Sequence, residues 1–212
     1  MTPYYEQDGI TIYHGDCREV LPSVMADVVM TDPPYGIGWR PPSATGVQEW
    51  IDDETFDPSA WLRVGSAHLF WGANYFANKL PPSDSWLTWV KRPIHVDFSR
   101  DMRSYSTTEL AWSDFGCKCR FIAHTWDGGK RSGEAENRTF CHPAQKPIEV
   151  MEWCIKLAPV GSVIDPYMGS GTTLIAAKLA GRRAIGIERV ERYCEIAAKR
   201  LSQGVLPLEA TT

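Results

Sequence analysis

Val163-Ile164-Asp165-Pro166-Tyr167-Met168-Gly169-Ser170-Gly171-Thr172-Thr173 is the stretch that decides the fold. A short β-type run, Ser162-Val163-Ile164, enters a glycine-rich turn and leaves it as a helical pattern, Thr172 to Ala180, ended by Gly181. Glycines between a strand and a helix mark a place where backbone comes close to a ligand. Gly-Lys-Ser/Thr is missing, so the turn is not a phosphate loop. It is also a poor dinucleotide fingerprint: Leu174 replaces the third glycine, and Asp165 stands where a pyrophosphate would be repelled.

Outward from this turn the same alternation continues. Ala184-Ile185-Gly186-Ile187 reads as a strand and Glu191 to Leu201 as an amphipathic helix. Upstream, Ile148, Met151, Ile155 and Ala158 share one helical face behind Pro147, and Gly161 is expected to stop that helix. Ile10 to Tyr13, Asp27 to Thr31, His68 to Trp71 and Trp86 to Val90 read as further strands, with a short helix expected over Asn74 to Leu80. Thr107 to Trp112 and Phe121 to Trp126 read as a late antiparallel pair. Strand–helix units of this length predict an α/β fold: a mostly parallel, Rossmann-like sheet covered on both faces.

Glu188, ending the strand after the turn, is placed to accept hydrogen bonds from two ribose hydroxyls. A carboxylate on each side of a glycine turn suits a cationic or amine-bearing nucleoside better than a phosphate. S-adenosylmethionine has that chemistry: an ammonium, a sulfonium and a ribose, without phosphate. A plain tight turn, as in any doubly wound protein, is the alternative.

Asp32-Pro33-Pro34-Tyr35 follows a buried strand, so its carboxylate is expected at the carboxyl end of the sheet, where open α/β sheets bind ligands. The proline nitrogens carry no hydrogen, so the surface near Asp32 is expected to offer acceptors rather than donors. An exocyclic base amine needs such surroundings, since two acceptors holding its hydrogens free its lone pair for attack. Tyr35 offers a flat face to an extruded base, through its ring rather than its hydroxyl, so a Phe there is expected to retain most activity. A simple Pro-Pro turn is the other reading.

The chain has 212 residues, 43% hydrophobic and 23% charged, enough for one domain with a real core, which excludes a disordered tail. No apolar run approaches the roughly 18 to 20 residues of a membrane span, and the first residues carry no signal core, so the chain is expected to be soluble, intracellular and cytoplasmic. Six scattered cysteines are expected as reduced thiols. Cys117-x-Cys119 with Cys141-His142 matches no standard zinc module, so no metal is expected and small buried thiols are the default reading. His14, His68, His95 and His124 read as strand-end or core residues. The net charge of −4 argues against binding nucleic acid through bulk electrostatics, but residues 91–146 hold 10 Lys/Arg against 7 Asp/Glu, interleaved with aromatics.

Together, Asp32 to Tyr35, Asp165 to Thr173, Gly186-Ile187-Glu188 and His142-Pro143-Ala144-Gln145-Lys146-Pro147 resemble the amino-group DNA methyltransferases, which methylate adenine N(6) or cytosine N(4). The order, tetrapeptide first and glycine turn last, is that of their circularly permuted beta class, and the resemblance spans roughly residues 10–201. It implies that Asp32 and the Pro33 carbonyl hold the target amine, with Pro34 fixing the backbone and Tyr35 stacking on the base. Asp165, Pro166, Gly169 and Gly171 would cradle the methionine moiety of S-adenosylmethionine, Thr172 and Thr173 would cap the helix, and Glu188 would bind ribose. Gly15-Asp16-Cys17 resembles the segment whose Asp contacts the cofactor adenine, although Asp16 equally suits a helix cap. Lys146 resembles a lysine near the cofactor carboxylate, or is an exposed residue at a helix start.

An Asp at the head of the tetrapeptide favours adenine within this resemblance. Cytosine N(4), RNA or a protein amide as target, and a DNA-binding module without turnover, remain alternatives. Where relatives carry a recognition insertion, only residues 127–141 are available, with the loop 36–57 beside the tetrapeptide. One methyltransferase domain over 1–212 with a minimal recognition insert is therefore expected. Lys130, Arg131 and Arg138 either touch DNA phosphates or belong to a solvated loop, Trp39 is a candidate for enclosing the base, and a homodimer partner is a source of missing contacts.

Overall fold

The computed structural model describes residues 2–38, 55–91, 106–127, 130–131 and 145–203. In chain order the elements are β1 (Tyr5–Gln7), β2 (Ile10–His14), α1 (Cys17–Val20), β3 (Val28–Thr31), β4 (Ala67–Trp71), β5 (Ser85–Val90), β6 (Thr108–Ser113), β7 (Arg120–Ala123), β8 (Trp126–Asp127), β9 (Lys130–Arg131), α2 (Ile148–Leu157), β10 (Val163–Asp165), α3 (Thr172–Leu179), β11 (Ala184–Glu188) and α4 (Glu191–Ser202). Nine strands form one sheet in the order β1-β2-β11-β10-β3-β4-β6-β5-β7, and β8 pairs with β9 in a separate hairpin.

Strands β2, β11, β10, β3 and β4 pair in parallel, and β7 runs parallel to β5. Only β1 and β6 run against the rest. Antiparallel pairing does come late, as the sequence predicts, but between different partners. β6 is inserted between β4 and β5, and β7 lies outside β5 rather than beside β6.

Alternating side chains divide the core between two faces, as period-two strands require. Val28, Met30, Leu69 and Trp71 pack with Met151, Ile155, Leu174 and Ala197 from α2, α3 and α4. Val29, Phe70, Ile164 and Ile187 pack on the other face with Cys17, Phe56, Trp61 and Phe76. The buried tryptophans Trp61, Trp71, Trp89 and Trp112 are core residues.

Two helical expectations are corrected. Asn74 to Leu80 forms no continuous helix but two 3-10 turns, Ala73–Tyr75 and Ala77–Lys79, because Phe76 leaves helical geometry at φ −135° while its ring is fully buried. Helix α2 stops at Leu157, short of Gly161: Ala158 is already extended, as the residue before Pro159 is biased to be. Among the described residues no helix is long and apolar enough to cross a membrane. The buried thiols are Cys17, Cys154 and Cys194, whereas Cys119 is exposed and Cys117 half-buried, which corrects the expectation for that pair. Of the histidines, His68 is buried in β4, and His95 lies outside the described residues.

Candidate active site

Every strand that runs with β3 ends on the same edge of the sheet, and there the chain must turn away with side chains facing outward. His14, Glu188, Asp165, Asp32, Gly72 and Lys91 all stand at or just beyond such strand ends. A cleft of about 1320 Å³ opens along this edge. It exceeds the roughly 300–1,000 Å³ of an ordinary small-molecule pocket, leaving room for two ligands side by side.

The first half is built on β10, β11 and α1. Asp165 is 3% exposed; its Oδ1 accepts from the Thr31 hydroxyl at 2.7 Å and the Tyr167 N–H at 3.1 Å, and its Oδ2 from the Thr173 hydroxyl at 2.5 Å. Burial pushes its carboxyl up to about 6 against those three donors. Glu188 accepts the Gly169 N–H on Oε2 at 3.1 Å and the Val190 N–H on Oε1 at 2.8 Å, and burial raises it despite these bonds. Asp16 lines the same cleft and caps α1, accepting the Arg18 N–H at 2.8 Å. A 2.6 Å pair with the Arg18 guanidinium holds it down to about 2. Its two readings are therefore compatible.

Pro166, Gly169, Thr172 and Thr173 also line the cleft. Neither threonine caps α3: Gly171 is the N-cap, at φ +81°, and the Thr173 hydroxyl is turned inward to Asp165. Gly171 is not among the lining residues. A Cβ there would meet the Ala197 Cβ at 2.8 Å, so its glycine serves the contact between α3 and α4.

The second half is built on β3, β4, β5 and β6. Asp32, Pro33, Pro34 and Tyr35 all line it. Asp32 is not surrounded by acceptors as the prolines suggested, since one donor from its own tetrapeptide and one from far along the chain reach it. The Tyr35 hydroxyl donates to Oδ1 at 2.5 Å and the Lys146 ammonium to Oδ2 at 2.5 Å. Burial raises the Asp32 carboxyl and Glu109 adds to that, while Lys146 and Tyr35 oppose it. Tyr35 stacks on Tyr75 with ring centres 5.1 Å apart. Its other neighbour is Gly72, at φ +66°, where a Cβ would lie 1.9 Å from the Tyr35 Cε1.

Lys146 is 7% exposed, not a surface lysine at a helix start. Its Nζ lies 2.5 Å from Asp32 Oδ2, 2.9 Å from Glu109 Oε2 and 5.2 Å from the Trp71 ring centre. Burial works against the ammonium, but the two carboxylates outweigh it and hold the group charged above the usual lysine range. Burial likewise raises Glu109, and Lys146 and Lys91 outweigh it to bring the carboxyl down to about 2.

Glu109, Lys91 and Tyr75 are site residues that sequence reasoning missed. A single acidic residue directly ahead of the apolar run Leu110-Ala111-Trp112, within the same predicted strand, was the available signal for the first. Lys130 and Arg131 fall on β9; their side chains, together with Arg138, Trp39 and His142 to Ala144, lie outside the described residues.

Residues 76–199 match a family model described as DNA methylase, of the N6/N4 type. The type II methyltransferase M.ScaI of Streptomyces caespitosus is 30% identical, over 94% of this chain and 83% of its own length. M2.DpnII of Streptococcus pneumoniae, also a type II methyltransferase, is 24% identical, over 94% of this chain and 92% of its own length. Among solved structures, the M1.HpyAVI–SAM complex superposes with a TM-score of 0.57 at 25% identity, covering 91% of this chain and 99% of that one. The PvuII DNA methyltransferase, cytosine-N4-specific, shares the fold at a TM-score of 0.64 and 17% identity, over 96% and 90% of the two chains.

Proposed function

The chain belongs to the N6/N4 DNA methylase family, and from that premise we propose that it transfers a methyl group from S-adenosylmethionine to the exocyclic amine of adenine in DNA. The observation that carries this is the meeting of Asp32 with Asp165 and Glu188 in one cleft, on strands β3, β10 and β11 that lie side by side. Adenine rests on the Asp that heads the tetrapeptide.

The donor set fits the cofactor. Glu188, its side chain pinned by two backbone N–H groups, and Asp16 suit a nucleoside; Asp165, with an acceptor site left over, suits an ammonium. When bound, the cofactor supplies a methyl group already activated by its sulfonium. The protein is left to align the amine and to offset the positive charge that grows on it. Asp32 accepts a hydrogen from the amine and turns its lone pair toward the methyl group, and the Tyr35 hydroxyl fixes the carboxylate in that orientation. No covalent bond to the enzyme is required.

DNA recognition is proposed to be sparse, resting on phosphate contacts from Lys130, Arg131 and Arg138, with a second copy supplying further contacts. A match to M.ScaI that runs over 256 residues, longer than this chain, supports a missing insert. Such binding falls steeply with salt. The test is nucleoside mass analysis of DNA incubated with purified protein and S-adenosylmethionine. N(6)-methyladenine in the wild type and its absence in Asp32→Asn, with cofactor binding retained, is the expected result. N(4)-methylcytosine would overturn the choice of base, and no methylated base would overturn the function.

A further inference from the structure

One half-buried carboxylate in the cleft has no part in the methyl transfer just described. Glu109 Oε1 accepts from the Lys91 ammonium at 2.7 Å. Its Oε2 lies 2.9 Å from Lys146 Nζ, yet it has no hydrogen bond of good geometry among the described residues. It is an acceptor within a small movement of a cation now bonded to Asp32.

That bond is a problem for catalysis. Each Asp32 oxygen accepts one hydrogen bond, Oδ1 from Tyr35 and Oδ2 from Lys146, so the amine would have to share a carboxylate whose charge the ammonium already holds. A cation there also opposes the positive charge that grows on the attacking nitrogen. We propose that Glu109 is a positioning residue that takes the Lys146 ammonium from Asp32, so that Asp32 turns its full negative charge to the target amine when Lys146 has moved onto Glu109. The proposal rests on the function given above.

The movement transfers no proton. Only the hydrogen-bond partner of the Lys146 ammonium changes. The Trp71 ring beside Lys146 tolerates a cation. The groups acting on Asp32 are Lys146 ahead of α2, Glu109 from β6 and Tyr35 from its own segment, and Asp32 in turn raises Asp165 on β10. Loss of Glu109 therefore lowers the acid limb of any rate profile that follows Asp32, while loss of Lys146 raises it.

Single-turnover transfer of labelled methyl groups to DNA across pH, with calorimetry of the cofactor, tests this on wild type, Glu109→Gln, Glu109→Asp and Lys146→Met. Glu109→Gln is expected to bind cofactor like the wild type, to keep its KM for DNA, and to transfer about tenfold more slowly or worse. Its acid limb moves down and that of Lys146→Met moves up. Glu109→Asp, which keeps the charge but draws it back, falls between, and it carries the test if Glu109→Gln does not fold. Wild-type rate and profile in Glu109→Gln or, failing that, in Glu109→Asp, or a slower rate with an unmoved acid limb, overturns the role of Glu109. A wild type that binds cofactor and methylates no DNA overturns the function above, and the role of Glu109 with it.

Discussion

The Thr31 hydroxyl donates to the buried Asp165 carboxylate at 2.7 Å across 134 residues of chain. Parallel pairing of Val28 with Val163 and of Val29 with Ile164 sets the two strand ends side by side, so this bond ties the strand that leads into Asp-Pro-Pro-Tyr to the strand that opens the glycine turn. Thr31→Val keeps the shape and β-propensity of the side chain but removes the donor. Urea unfolding is expected to show a loss of about 1.5 to 3 kcal/mol, the range for a hydrogen bond to a charged group. A loss within error would mean that the bond carries no net stability.

Asp165 makes cofactor binding depend on pH. Its carboxyl titrates at about 6 in the fold and at about 3.9 in an unfolded chain. The unfolded state thus releases its proton first, and the cofactor-free protein loses stability as pH rises through that window, on the order of 3 kcal/mol once above it. A cationic ligand favours the ionised form, so below pH 6 the affinity for S-adenosylmethionine should fall by up to about tenfold per pH unit. Calorimetry at several pH values checks this. Asp165→Asn is expected to be more stable than wild type at neutral pH without cofactor, because an amide keeps an acceptor for Thr31 and Tyr167 while Thr173 turns to accept from it, and to bind cofactor poorly.

Tyr35→Phe separates the ring from the hydroxyl. Stacking alone predicted that Phe would retain most activity, but the hydroxyl donates to Asp32 at 2.5 Å. Removing a donor to a buried carboxylate costs about 1.5 to 3 kcal/mol, so methyl transfer should slow by roughly ten- to a hundredfold with cofactor affinity unchanged. A variant as fast as the wild type would show that the hydroxyl does not orient Asp32 during the reaction.

Gly72→Ala tests the shelf behind Tyr35. At φ +66° an added Cβ would meet the ring at 1.9 Å, and backbone strain adds to the clash. The expected outcome is a folded protein that binds cofactor but has lost most methyl transfer, because Tyr35 can no longer reach Asp32. Calorimetry and the transfer assay on one preparation decide it; unaltered transfer would mean that the ring is free to move aside.

The sequence by itself determined the parts whose physics is local. Val28 to Thr31 halting at Pro33-Pro34, the glycine turn after Val163-Ile164, and Glu188 at the next strand end are all written in short-range patterning, so the α/β fold and the two halves of the cleft were legible. What the tertiary structure alone decided depends on pairing over long distances. Because β6 runs against its neighbours, its first residues rather than its last stand at the cleft edge, which sets Glu109 opposite Trp89, next to Lys91. Lys146, 114 residues from Asp32, likewise looked like a surface residue ahead of a helix, and became the buried counter-ion of Asp32 only once α2 packed onto the sheet. The prolines suggested a site of acceptors because their nitrogens carry no hydrogen; Tyr35 of the same tetrapeptide nevertheless donates to Asp32, and the second donor, Lys146, is brought there by packing over 114 residues that no local pattern encodes.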